Sequence, residues 1–569
     1  MDPITLAVVG HAFAATAEEM GVNLYRSAHS TIVREVRDIA TAILDPYGRT
    51  VAIANYIPQL LNAMDPAAAA IAEEYDFADL QDDEAFVLND PFRGGQHVND
   101  VLLFTPIRTD GVLLGIACAN VHHVDVGGGA AASNARATDV FQEGIVFRPM
   151  RIPLGAEWRR SPFGKFLEGN VRVPRTVLAD FDAQIAACRT GEARVRALAR
   201  KYGVDAIQTF TAEVQDYAER ISRDAIGAMP DGEYRGEAFM EDDGTGAGPF
   251  AVRVAVRVAG SEMTIDFAGT DAQARGFINS PWGSTLSAVR TTVMSILGTT
   301  HLLVNAGTMR PVHVTAPLGS LVNPRWPAAT RARTSVCYKI FDAVNLALAP
   351  VLPTRVTAPG FDCQTGITFG LRADGRTRIL SEVLGAGNGA LWCQDGADGM
   401  IMHLTNGQNT PVESVETEFP FLEVLRYGLV ENSGGAGEYR GGLGMERLYR
   451  IAADGVTFGL HSDRHHHGAP GVFGGGTGAP GACALLRDGT ARVLGSKVHE
   501  TLGRDDLLLV RSGGGGGYGD PSRRGEERVE RDAREGRQGS DRICRAPQDV
   551  LAEWAVAVRR AGGAPGAVR

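Results

Sequence analysis

Several things are missing from this sequence, and each absence narrows what the chain can be. It has no C-x-x-C pair: seven cysteines are scattered from Cys118 to Cys544, and an odd number over 569 residues does not make a disulfide framework. A reducing cytoplasm is therefore the expected location. Basic charge is not in excess, the formal net charge being −11, so a surface that neutralises nucleic-acid phosphates or an anionic membrane is not expected. No run approaches the roughly 20 apolar residues of a spanning helix. The opening "MDPITLAVVGHAFAATAEEMG" lacks the basic start and unbroken apolar core of a secretory signal. The glycine run "SGGGGGYGD" has no Gly-Lys-Ser/Thr ending to place a lysine on phosphates, and neither a G-x-S-x-G elbow nor a nucleophilic cysteine context is present. Activation of water by a metal is the more economical chemistry for such a chain.

What is present is the composition of a folded protein, 44% hydrophobic and 22% charged with mean hydropathy −0.07, which excludes a disordered or collagen-like chain. Its length exceeds one ordinary core, so two to four packed domains are expected. Residues 4–27 carry Ile4, Val8, Phe13, Met20 and Leu24 near the helical period. "TAILDPYGRTVAIA" is a hairpin signal with Asp38 just before its first strand, and "EAFVLND" and "GVLLGIACANVHH" read as buried strands ending in polar clusters. Two long helices follow from Pro174 to about Pro230. Then come the alternating strand "AVRVAVRV", the strand-and-turn "MTIDFAGT", a helix over 283–300 and a helix in "SVCYKIFDAVNLALA". From about 353 to 520 the chain is glycine-dense and strand-like. The fold class predicted is α+β: an N-terminal α/β region at 1–230 with the site loops, a mixed region at 231–352, a glycine-rich β region at 353–521 and a charged tail at 522–569.

The candidate chemistry lies in "NDPFRGGQHVND" (89–100) and "NVHHVDVGGG" (120–129). His97-x-x-Asp100 and His122-His123-x-Asp125 supply the imidazole nitrogens and carboxylate oxygens that suit Zn²⁺, Mn²⁺ or Fe²⁺. Gly94, Gly95 and Gly127–Gly129 let two loops turn tightly so that their side chains converge. Adjacent strand residues point to opposite faces, so one of His122 and His123 is expected to ligate. The plainer alternative is two separate strand-end histidines with ordinary hydrogen bonds. "HSDRHHHG" (461–468) is discounted as a metal site, because consecutive loop histidines are more often solvated or substrate-facing.

The motifs "MDPITLAVV", "REVRDIATAILDPYGR", "NDPFRGGQHVNDV", "HHVDVGG", "FQEG", "DFAGT", "RPVHVTAPLGSLVNP", "ENSGGAGEYRGGLG" and "GGGGGYGDP" occur in the order of the hydantoinase B/oxoprolinase family, which the chain resembles over about residues 1–521. The resemblance implies a division of labour. A partner A subunit, an actin-like ATPase, binds ATP and activates a cyclic amide such as a hydantoin or 5-oxoproline-like lactam, while the B-type chain carries the metal. It implies Asp38, His97, Asp100 and one of His122 or His123 as ligands, Zn²⁺ first with Mn²⁺ or Fe²⁺ as alternatives. On the logic of outer-shell support, Asp125 or Glu143 would orient a ligand or shuttle a proton, the alternative being an ordinary pairing with a nearby arginine. Two other roles stay open: a subunit of an acetone- or acetophenone-type carboxylase, and a non-catalytic scaffold. The chain departs from the family pattern at "YIPQLLNAMD", where histidines are usual near Tyr56 and Leu60, at "GGQH" and Asn432, and after Pro521.

Overall fold

The computed structural model describes residues 2–131, 134–155, 157–298, 304–361, 365–401, 403–539, and positions 548, 550–552 and 556. Cys363, Cys544 and most of the tail beyond 539 lie outside these residues. Cys118, Cys188, Cys337 and Cys483 are buried free thiols, and no described helix is long and apolar enough to cross a membrane.

The first helix runs Pro3–Ser27. Asp2 starts it by accepting the N–H groups of Ile4 and Thr5 at 3.1 and 3.0 Å, with Pro3 in the first turn. Phe13, Met20 and Leu24 are buried, but Ile4 and Val8 are 77% and 50% exposed, the first turns meeting the core through Leu6 and Val9 instead. This helix packs on helix Pro174–Tyr202, and both cover one face of a six-stranded antiparallel sheet. Its strands are β1 (Ile39–Leu44), β2 (Thr50–Ile53), β3 (Glu84–Leu88), β4 (Asp100–Thr109), β5 (Val112–His122) and β6 (Met150–Pro153), in the spatial order β2-β1-β5-β4-β3-β6. Both faces are buried, which explains why β1 and most of β5 read as continuous apolar runs rather than alternating ones. Ala119, Val121 and Val101 face the long helices. Cys118, Ile116, Leu102, Phe104 and Ala40 face the short helices Pro58–Leu61 and Met64–Ala72.

A second sheet contains Gly232–Met240, Phe250–Ala259, Glu262–Asp266 and Val312–Thr315. Its last two strands are parallel, and helix Trp282–Leu297 lies in the crossover between them. Helix Arg333–Leu348 packs against this sheet and is buried along nearly its whole length. The C-terminal part holds a four-stranded sheet (Thr365–Ala373, Arg376–Leu384, Val456–His461, Lys497–Leu502) and a five-stranded one (Leu422–Leu429, Met445–Ile451, Ala482–Arg487, Thr490–Leu494, Leu507–Arg511).

The glycine-dense stretches of this part are mostly not strands of either sheet. They run beside one another as extended segments with backbone against backbone. Gly514, Gly515, Gly516 and Gly517 donate their N–H groups to the carbonyls of Ala479, Gly442, Pro359 and Gly476 at 2.9–3.0 Å. A Cβ on Gly515 would lie 2.0 Å from the Asn388 carbonyl oxygen, closer than atoms can approach. "SGGGGGYGD" is thus the centre of a glycine bundle, its amide donors turned to carbonyls rather than to a ligand. Gly515→Ala is expected to lower unfolding free energy by about 3 kcal/mol in a urea or thermal melt. Gly169→Ala, a helical glycine with open space around it, should be neutral or slightly stabilising; equal losses from both would contradict this packing.

Candidate metal centre

Three carboxylate and imidazole residues stand in a row across the end of the first sheet. β4 and β5 pair in antiparallel register with Asp100 opposite His122. On the other side of β5, β1 begins just after Asp38, and the His122 amide donates to the Asp38 carbonyl at 3.1 Å. Residues directly opposite in an antiparallel ladder point to the same face, so Asp38, His122 and Asp100 project together. A bulge sets that register. The β4–β5 hairpin turns at Asp110-Gly111, both with positive φ (52° and 80°), and pairs Thr109 with Val112. Between Arg108↔Leu113 and Ile107↔Gly115 the pairing shifts, leaving Leu114 unopposed.

His97 joins the row from the preceding loop, where the Asp100 amide donates to the His97 carbonyl at 2.9 Å. Asn89 holds this loop: its Nδ2 donates to the carbonyls of Val98 and Ile145 at 2.6 and 2.8 Å, and its Oδ1 accepts the Phe147 amide at 2.8 Å. At Gly94 φ is 83°, and a Cβ would meet the Pro66 carbonyl oxygen at 2.4 Å, so the tight approach of this loop to the neighbouring helix requires glycine.

His97 Nδ1 is 2.9 Å from Asp100 Oδ2, and His122 Nδ1 is 3.1 Å from Asp100 Oδ1 and 3.7 Å from Asp38 Oδ2. The two imidazoles are 4.9 Å apart between ring centres. All four side chains are buried. Burial, then the positive charge of Arg333, hold His97 well below the usual histidine range, so its ring is neutral. Burial pushes the Asp100 carboxyl up, but the Arg333 guanidinium and the close contacts from the two imidazoles outweigh it and hold the carboxyl well below its usual range. Burial raises Asp38, partly countered by His122.

Does this set suit a metal ion? Each of His97, Asp100 and His122 offers an atom within 4.8 Å of the others'. His97 Nδ1 is buried and lacks a hydrogen bond, because its short contact with Asp100 has the wrong angle for one. A buried imidazole whose Nδ1 has no hydrogen-bond partner, beside a second imidazole and two carboxylates, is a donor set that suits Zn²⁺ or Mn²⁺.

The remaining candidates do not join the row. His123 points to the opposite face, as the strand period demands: it stacks on Phe181 at 4.3 Å, with Nε2 3.3 Å from Gln184 Oε1. Of the two adjacent histidines His122 is the one in the cluster, so including His123 as a ligand is corrected. Asp125 contacts no ligand histidine; its carboxylate pairs with Arg172 at 2.8 Å and accepts the Gly127 amide at 3.2 Å. Glu143, whose burial pushes it up to about 7, accepts the amides of Thr330 and Arg331 at 2.8–3.0 Å and contacts no histidine of the cluster. In the 461–467 tract, the Glu241 carboxylate accepts the backbone N–H groups of His465, His466 and His467. Only His461 comes near the row, close enough for the charges of Arg331, Arg333 and His122 to act on it, and its Nδ1 is buried without a hydrogen bond.

Arg333, which no spacing or motif in the sequence singles out, completes the surroundings. At the start of helix Arg333–Leu348, its Nη2 donates to Asp100 Oδ2 at 2.6 Å and to Gln96 Oε1 at 3.0 Å.

This architecture has relatives. Residues 2–521 match the family described as hydantoinase B/oxoprolinase, and the chain belongs to that family. It is 30% identical over 567 residues to the beta chain of the caprolactamase of Pseudomonas jessenii, 94% of each chain being covered. It is 31% identical over 548 residues to a protein of Pseudomonas sp. (strain NS671) provisionally named as the B subunit of a D-/L-hydantoinase, covering 93% of this chain and 92% of that one. The crystal structure of the ATP-dependent caprolactamase from Pseudomonas jessenii superposes with a TM-score of 0.85 at 27% identity over 94% of both chains. A nucleotide-free acetone carboxylase structure shares the fold, with a TM-score of 0.86 at 19% identity over 99% of this chain and 84% of that one.

Replacing Arg333 by Met should lower stability by about 3 kcal/mol, because it strands the buried Asp100 charge. Arg333→Met with Asp100→Asn should recover part of that loss. A double-mutant cycle by denaturant unfolding measures both, and simple additivity would exclude the coupling.

Proposed function

We propose that the chain is the metal-holding B subunit of an ATP-dependent amidohydrolase that opens cyclic amides, acting with a partner that supplies ATP-driven activation. The observation that carries this reading is the buried row Asp38–His122–Asp100 with His97 beside it, its Nδ1 unused. The names of full-length relatives support the substrate class, since one belongs to a caprolactamase and another to a hydantoinase.

A cyclic amide resists water because resonance makes its carbon a poor electrophile. In the proposed reaction the partner phosphorylates the amide oxygen. Water then adds to the activated carbon, the ring C–N bond breaks as the nitrogen takes up a proton, and a second water splits the resulting acyl phosphate into carboxylate and phosphate. When bound, a divalent ion supplies Lewis acidity and a lowered pKa for coordinated water. The chain's own residues contribute the rest. Asp100 and Asp38 place carboxylates where they offset a cation, His97 and His122 provide imidazole nitrogen donors, and Arg333 fixes the orientation of Asp100. The glycine bundle supplies no phosphate cradle, in keeping with ATP being handled by the partner.

Three results are expected. Elemental analysis of the purified chain should give about one transition-metal ion per chain, lost in His97→Ala with Asp100→Ala and retained in His123→Ala and His465→Ala; retention in the first variant sinks the assignment. The chain alone should show no ATPase activity, whereas activity abolished by substitution within Gly513–Gly517 would reverse the division of labour. Asp38→Asn, which keeps shape but removes charge, should reduce amide opening by about 100-fold or more while partner ATPase activity persists; full metal occupancy with near-normal opening would return Asp38 to a purely structural role.

A further inference from the structure

Next to the loop that carries His97 and Asp100 lies a small open cleft walled by Asn99, Asp125, Glu143, Arg331, Thr368 and Ile379, among others. It sits where the sheet of Thr365–Ala373 meets the loop that follows β5. Thr368 and Gly366 lie opposite Gly459 and His461 in register, so His461 and Thr368 share the face turned to the site. A Cβ on Gly370 would come within 3.1 Å of Ala131 Cβ, a measure of how closely that face approaches the loop.

Two arginines reach this region from Thr330–Arg333, and they differ in what remains unused. Arg333 is committed: Nη2 serves Asp100 and Gln96, Nη1 donates to Thr334 Oγ1, and Nε is buried without a partner. Arg331 is held at its base and open at its tip. Its amide donates to Glu143 Oε1 at 2.8 Å and its Nη1 to Asn99 Oδ1, one residue before Asp100. Its Nε and Nη2 have no hydrogen bond among the described residues, and the side chain lines the cleft. Such a guanidinium, half-buried and pinned on both sides, has two parallel donors to offer a tetrahedral oxyanion.

We propose that Arg331 binds the phosphoryl group of the activated substrate, and afterwards the departing phosphate, holding the reacting carbon against the Asp38–His122–Asp100 row. Glu143 is then a positioning residue: its carboxylate fixes the backbone of Thr330 and Arg331 and so aims the guanidinium. The inference rests on the reading of the chain as acting on a phosphorylated amide, but its anion site is testable without the partner. It also gives Asn99 a purpose, since this side chain ties Arg331 to the metal-ligand loop and, through Nδ2, to the His123 carbonyl at 2.8 Å.

The test is calorimetric titration of inorganic phosphate into the full chain, its metal content measured first. The wild type should bind phosphate, Arg331→Gln about tenfold or more weakly, and Arg331→Lys with an intermediate loss, all three keeping the same metal content. Absence of phosphate binding by the wild type, or unchanged affinity in a folded Arg331→Gln, overturns the proposal. Should Arg331→Gln fail to fold, phenylglyoxal labelling of the wild type read by peptide mass decides: phosphate must protect Arg331, and failure to protect it overturns the proposal. A chain that binds phosphate through Arg331 but carries no metal would remove the hydrolase reading and leave the anion site standing. A chain with one metal ion and phosphate affinity indifferent to Arg331 would do the reverse.

Discussion

Leu114 is the unopposed residue of the β4–β5 hairpin, and the candidate site depends on it. Counting back from the turn with Leu114 paired to Ile107 would place Val121 opposite Asp100. His122 would then face the long helices and His123 would stand near Asp100. A one-residue change of register reverses every side chain of a strand, so the bulge decides which residues meet at the sheet's end. Its cost is low because Leu114 is itself buried in the core.

Once Asp38, His122 and Asp100 are aligned, electrostatics dictates much of what surrounds them. A buried carboxylate without a partner is expensive. Asp100 is answered by Arg333 from a helix that belongs to the second sheet's packing, so the charge ties the first sheet to the next part of the chain. The same short segment carries Arg331, and Glu143 returns to grip its backbone. The C-terminal sheet closes the region with its small residues and His461. The site is therefore built from three stretches far apart in sequence, each held by a hydrogen bond or ion pair to another.

Much of this was legible beforehand, for physical reasons that can be named. The Asp-Pro-Tyr-Gly turn with its flanking β-type runs marks its hairpin, and strands that end in polar clusters lie at sheet ends. His97 and Asp100 were visible from their spacing, and Asp38 only through the family resemblance. The choice between His122 and His123 was not legible, because it hangs on a bulge that leaves no mark in residue type. Arg331 and Arg333 were hidden because two arginines before an apolar helix look like a solvated helix start, and only tertiary structure shows one of them reaching Asp100. Asp125 and Glu143 looked like supports for a ligand. The first instead met Arg172 and the second a backbone loop, contacts decided by residues 47 and more than 180 positions away.

The glycine bundle has a thermodynamic consequence. Its contacts are mostly peptide group against peptide group, with few side chains such as Phe361, Val472 and Tyr518 packed on it, so unfolding it exposes a larger polar share than unfolding an aliphatic core. Polar exposure lowers the heat capacity of the unfolded chain while apolar exposure raises it. This part of the protein therefore adds little to the curvature of the stability profile with temperature, and it is held by enthalpy from hydrogen bonds rather than by a hydrophobic drive that fades in the cold. The glycine bundle should consequently loosen last on cooling, after the aliphatic sheet that carries the Asp38–His122–Asp100 row.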